Sequence, residues 1–258
     1  MLPEDLAQTV ADALIQYQSL SLVLIAVAFM VLEPILPHHP VDRRREMLLN
    51  VVGVLAGLGF VAISYGALRQ LGRTADLAAW EQAIRAPRGL ASPAKVLFVV
   101  LIVDFSIYWL HRFMHRWEFS WRMHRWHHSI EQMYWFAGFR ASFLHILLYG
   151  IPQVFVPVII FDLSPSETMV ASAVANFVRI WTHTNLKVNI GPLKWLIVTP
   201  DYHRVHHRAS DAPTKNLGNL LTVWDRLFGT YEAPERSPIG RLGLVEPRPG
   251  LLRMLLGI

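Results

Sequence analysis

The sequence predicts an all-α fold: an integral membrane helical bundle of four to five spans, with a histidine-rich cap for two metals on the cytoplasmic side. Two observations carry this expectation. The 258-residue chain is 53% hydrophobic and has a mean hydropathy of +0.33, which is more apolar than an ordinary soluble domain. Ten of its twelve histidines fall between His111 and His207, most of them in three tight clusters.

The spans are read in chain order from apolar runs long enough for a hydrocarbon core, about 20 residues with some tolerance. Residues 20–36, 47–68 and 96–110 supply the first three. Residues 143–161 and 168–181 follow, separated only by DLSPSE, and read as a full helical hairpin, with a shallower dip and return as the alternative. Arg43, Arg44 and Arg45 follow the first run, and Arg112, Arg116, Arg122, Arg125 and Arg140 follow the third. The positive-inside rule puts both loops in the cytoplasm. The loop from Arg69 to Lys95 also carries basic residues and argues the other way, whereas the acidic N-terminus and the alternation of spans agree. Trp109, Trp117, Trp121, Trp126, Trp135 and Trp181 lie near the proposed span ends, where an interfacial aromatic belt would place them. The Pro/Gly-rich stretch after Ala233 reads as an irregular tail, ending in GLLRMLLGI, a segment suited to a membrane surface.

Composition narrows the chemistry. The absence of cysteine removes disulfides, thiolate zinc sites, iron–sulfur clusters and thiol catalysis, leaving imidazole, carboxylate and water as ligands. The formal charge of +5 is spread through loops beside apolar segments. It therefore indicates anionic lipid head groups rather than nucleic acid as the partner. The opening MLPEDLAQTV puts acids where a signal peptide needs positive charge, so insertion is expected through the spans themselves.

The clusters are HRFMH (His111, His115), HRWHH (His124, His127, His128) and HRVHH (His203, His206, His207). Helical residues three and four apart lie on neighbouring or shared faces, so each cluster aims two or three imidazoles at one place. Imidazole suits iron, copper, zinc and nickel, and one ion takes roughly four to six ligands. Two metals are therefore expected. His145 and His183 fall at the same membrane face as the clusters and complete a set of ten. His38 and His39, in LPHHP, read instead as hydrogen-bonded interfacial residues.

Asp104, Tyr108, His111 and His115 form one helical stripe, so Asp104 is expected to accept a ring N–H of His111 or a neighbour and fix its tautomer. Asp201, two residues before His203, and Asn185, two after His183, are candidates for the same part, as are Glu131 and Asp225, with loop ion pairs the plainer alternative for the last two. Two divalent ions held by neutral imidazoles alone would carry +4, which calls for nearby carboxylate, hydroxide or another oxygen ligand.

DFSIYWLHRFMH, HRWHHS, RASFLH, HTN, TPDYHRVHH and WDRLFGTY together resemble the fatty acid hydroxylase superfamily, a group of sterol desaturases, sterol methyl oxidases, fatty acid and carotenoid hydroxylases and alkylglycerol monooxygenase. The likeness runs from Asp104 to Tyr231, with all three histidine boxes at family spacing. It implies a membrane-bound non-haem di-iron enzyme that uses O2 and external electrons to hydroxylate or desaturate a lipid. The two irons would be held by His111, His115, His124, His127, His128, His145, His183, His203, His206 and His207. Residues 1–95 are then N-terminal spans and loops, 96–231 the catalytic region and 232–258 the tail. No fused electron carrier is visible, so the reductant is expected to be a separate protein. A bacterial inner membrane or an endoplasmic reticulum would house it, with the active site on the cytoplasmic face.

Three other classes compete. A haem electron-transfer protein would carry single histidines inside facing spans. A metal transporter would string ionisable ligands along mid-span. A zinc hydrolase would need a general base such as that of H-E-x-x-H, which the chain lacks.

Overall fold

The computed structural model describes the backbone of residues 4–74, 90–210, 212 and 214–258, and side chains from 20 to 59 and from 90 onward within those ranges. The remainder of the basic loop between Arg69 and Lys95 lies outside the described residues. Nine α-helices are described: α1 (Glu4–Ile35), α2 (Arg43–Thr74), α3 (Ser92–Met114), α4 (Glu118–His128), α5 (Phe143–Phe155), α6 (Pro165–Trp181), α7 (Pro200–His206), α8 (Val223–Leu227) and α9 (Leu251–Leu256). No strand occurs among the described residues, only isolated bridges such as Pro37 with Leu186.

The helix starts follow local rules. Ser164 and Glu167 form a reciprocal capping box at α6, with Pro165 at the first position. Ser142 caps α5 by accepting from the His145 backbone N–H at 3.1 Å, and Thr199 caps α7 by accepting from that of Tyr202 at 3.2 Å. At its far end α5 runs into a π-helical turn, Val156–Ile160, where Pro157 supplies no N–H to an α-helical ladder.

α1 packs along α6, with Phe29 against Ile180 and against Leu186 just beyond that helix. Val99 of α3 meets Val156, Phe161 and Leu163. α3 and Phe143–Ile160 are long and apolar enough to cross a membrane, whereas Leu20–Ile35 is shorter. This supports two of the expected spans. Both helices keep apolar side chains outermost, Leu97, Phe98, Ile102 and Phe105 on one and Leu147, Ile151 and Phe155 on the other.

Two expectations change. Trp126 is fully buried in the protein interior and is not part of an interfacial belt, because α4 turns that face toward the core. The C-terminal stretch, which ends in α9, is firmly held: Ala209 N donates to Arg241 O at 2.8 Å and Gly243 N to His207 O at 3.3 Å. Arg248 reaches Glu46 and the Ser129 carbonyl, and α9 packs on α4 with Met254 buried.

Candidate metal centre

The ends of α3, α5 and α6 that carry His111, His145 and His183 meet α4 and α7, and the imidazoles sort into two sets. His111, His115, His124, His128 and His206 form one, and His127, His183, His203 and His207 the other, with the donor atoms of each set within 4.8 Å of one another. The division follows from helix geometry. At about 100° per residue, positions i and i+4 nearly eclipse while i+3 points about 100° away from i+4. α4 therefore gives His124 and His128 to the first set and His127 to the second. α7 and the residue after it reciprocate, giving His203 and His207 to the second and His206 to the first. His145 joins neither set. It lies against both, with its ring 4.7 Å from that of His124 and 5.5 Å from that of His127.

Backbone carbonyls orient the rings. Nδ1 of His111 meets Leu217 O at 2.8 Å, that of His127 meets Arg140 O at 2.9 Å, that of His183 meets Arg179 O at 3.0 Å and that of His206 meets Lys215 O at 2.9 Å. A carbonyl only accepts, so Nδ1 carries the proton in each and Nε2 keeps its lone pair for the interior. In the second set His127 Nε2 lies 3.2 Å from His183 Nε2 and 3.1 Å from His207 Nε2, and His203 Nε2 is 3.2 and 3.1 Å from the same two. Tetrahedral ligands on bonds of roughly 2.1 Å stand about 3.4 Å apart, so this square of contacts is close to a collapsed four-ligand site. In the first set His115, His128 and His206 each have a buried Nε2 with no hydrogen-bond partner, the state expected of a nitrogen awaiting a cation. A haem is poorly matched, because Nε2 atoms this close leave no plane for a macrocycle between them.

Burial, reinforced by the neighbouring imidazoles, holds His115, His124, His127, His128, His203, His206 and His207 well below the ordinary histidine pKa. Burial takes His183 to about 4. The rings are thus neutral at physiological pH, the form in which imidazole can act as a ligand. The unfolded chain binds protons below about 6.5 while these folded rings do not, so acid favours unfolding. The metal-free protein should lose stability as pH falls from 6.5 toward 4, measured as a falling thermal midpoint, and an unchanged midpoint would contradict neutral buried rings.

Asp104 corrects an expectation. Its carboxylate touches no imidazole; it accepts from Leu220 N at 2.9 Å, Leu221 N at 3.2 Å and Trp224 Nε1 at 2.8 Å. Two turns along α3 from His111, it reaches the loop whose Leu217 carbonyl holds that histidine. Asp225 braces the same loop, accepting from Leu217 N, Gly218 N, Tyr202 Oη and Thr230 Oγ1. Asp104→Asn puts an amide N–H₂ among three donors. Activity should fall by about 10- to 100-fold with most metal retained; full activity would leave Asp104 a packing residue only.

Asn185 does not reach His183. It pairs with the His39 backbone, accepting at 3.1 Å and donating at 2.7 Å, because the α1–α2 loop lies over it. Glu131 pairs with Arg45 and Arg248, the plainer of its two alternatives. Asp201 meets His38 rather than a cluster ring. His38 and His39, expected to be ordinary interfacial residues, gather with Asp201 into a third potential ligand group. Gly138 is a residue that sequence reading missed: a Cβ there would lie 2.5 Å from Arg179 O and 3.1 Å from His183 Nδ1, so a side chain would break the bond that orients His183. Its one signal is an isolated glycine among aromatics.

Helices that, among the described residues, collect nine neutral imidazoles into two adjoining buried sets able to hold metal, with apolar helices leading away from them, define a class of histidine-rich proteins with membrane-type helices. This chain belongs to the fatty acid hydroxylase family, whose profile matches residues 96–230, about half of its length. It is 35% identical over 150 residues to the alkylglycerol monooxygenase of Homo sapiens, covering 56% of this chain and 32% of that protein. It is 30% identical over 151 residues to the ornithine lipid hydroxylase OlsE of Rhizobium tropici, covering 58% and 45%. To methylsterol monooxygenase 1-3 of Arabidopsis thaliana it is 27% identical over 191 residues, covering 72% and 60%. The matched region spans about a third of the alkylglycerol monooxygenases. No solved structure matches the chain.

Proposed function

We propose that this protein is a membrane-bound non-haem di-iron oxygenase that hydroxylates the alkyl part of a lipid, using O2 and electrons from a separate protein. The observation that carries the reading is the pair of adjoining histidine sets with no carboxylate among them. All ten cluster and flanking histidines, His145 included, are assigned to the centre, and Asp104 is assigned the positioning role described above. The relatives bear names of monooxygenases and hydroxylases of lipids and sterols, which favours hydroxylation over desaturation.

Two irons bound there would supply an oxidant strong enough for an unactivated C–H bond, chemistry no side chain provides. The chain's own contribution is geometric. The carbonyls of Leu217, Arg140, Arg179 and Lys215 hold Nδ1 protons away from the centre, so Nε2 of His111, His127, His183 and His206 is available without a prior deprotonation. Burial excludes bulk water. The apolar flanks of α3 and α5 offer an alkyl chain a path from the bilayer core to His111 and His145. In this reading four to five spans, three of them within the catalytic region 96–231, carry a cytoplasmic histidine-rich cap, with 1–95 as N-terminal spans and connecting loops and 232–258 as the C-terminal tail.

The test is iron content and Mössbauer spectroscopy of detergent-purified protein, followed by lipid turnover under 18O2. About two irons per chain and one labelled oxygen in the product hydroxyl are expected. Zinc after iron-replete expression, with no O2 consumption, would replace this reading with a hydrolase.

A further inference from the structure

We propose a third metal site, mononuclear and separate from the two histidine sets, formed by His38, His39 and Asp201 for a first-row divalent cation such as Zn2+, Co2+ or Fe2+.

The three side chains come from two elements far apart in sequence. His38 and His39 stand in the α1–α2 loop between Pro37 and Pro40, and Asp201 lies in the first turn of α7. Their donor atoms lie within 4.8 Å of one another, and His38 Nε2 is 3.3 Å from Asp201 Oδ2. Two neutral imidazoles and a carboxylate are a familiar donor set for such ions, leaving positions for water.

A plain His38–Asp201 ion pair explains only part of this arrangement. It leaves His39 Nε2 and Asp201 Oδ1 buried with no hydrogen-bond partner, two orphaned donor atoms in one cluster. A cation coordinated by His39 Nε2 and the carboxylate satisfies both. The two rings also lie against each other at 4.1 Å, an arrangement that protonation of both would make repulsive. A cleft of about 460 Å³ lined by His38, His39, Arg43 and Asn185 gives hydrated ions access.

The loop is already held in place. His38 N donates to Asn185 O at 2.9 Å and Lys187 N to Leu36 O at 2.9 Å, and the Asn185 side chain grips both backbone polar groups of His39. Little ordering entropy therefore opposes coordination. The charge that opposes a cation is Arg204, whose Nη2 is turned toward Asn185 Oδ1 and Met133 O. Glu33 lies close enough to influence Arg204 electrostatically and is itself paired with Arg43. Two acids and two arginines thus leave the neighbourhood formally neutral before a cation arrives.

The experiment uses untagged, detergent-purified full chain with its iron complement measured first. Co2+ is then titrated while d–d absorption is recorded, in wild type, in the His38→Gln/His39→Gln double variant and in Asp201→Asn. Expected are one further equivalent of Co2+ in wild type, its loss in the double variant and at least tenfold weaker binding in Asp201→Asn, with iron content unchanged in all three. No further equivalent in wild type, or an equivalent that survives in the double variant, overturns the site; undiminished affinity in Asp201→Asn removes the carboxylate from it. The readout is a difference between variants at a site apart from the two sets, so it stands or falls independently of whether those sets hold iron or the protein uses O2.

Discussion

His127→Ala should leave a protein that reaches the membrane but has lost metal and turnover together. Its Nε2 contacts two other rings of the second set, and its Nδ1 is held by Arg140 O at 2.9 Å, so no neighbour can take its place. The loss should exceed the roughly 10- to 100-fold expected for positioning residues. Iron per chain should fall with activity, measured on the same preparation. Undiminished turnover in this variant would overturn the di-iron assignment, and turnover lost with both irons retained would move His127 from ligand to a different role.

The second large effect concerns stability. Arg140 and Glu46 are each fully buried and are paired with each other. Arg140 also donates to Asn50 Oδ1 and Ser129 O, while Arg248 supports Glu46 from the C-terminal stretch at 2.8 Å. Removing one partner of a buried pair leaves the other charge uncompensated, typically at a cost of about 3–5 kcal/mol. Arg140→Met should lower the thermal midpoint markedly, and adding Glu46→Gln should restore much of it. The backbone carbonyl that holds His127 survives the substitution, so the folded fraction should still bind metal. A variant as stable as wild type would show that the pair contributes specificity rather than stability.

The metal-ligand candidates were legible because histidine carries its chemistry in its own side chain and because helical spacing is local. His111, His115, His124, His127, His128, His203, His206 and His207 could be grouped into boxes without a structure. Their sorting into two sets could not, since it depends on how α4 and α7 face each other. The partners of Nδ1 were also hidden: any residue has a carbonyl, so nothing marks Leu217 as the acceptor for a histidine 106 positions away. Asp104 stands out in the sequence as an acid within an apolar run, but the stripe it shares with His111 points along α3, whereas its hydrogen bonds go across to the loop and helix around Leu220, Leu221 and Trp224. The spans are less legible: α6 is 17 residues long, and its apolar run 168–181 buries Ser172 and Asn176 against the protein, so its composition serves protein packing.

In the proposed di-iron reading, the exchange of middle histidines between α4 and α7 would link the fates of the two ions. Each helix contributes to both sets, so a first bound ion would fix the angle between the helices and thereby present His127 or His206 to a second. Loading should be cooperative: at limiting iron, a population should divide into empty and doubly filled chains, with few holding one ion.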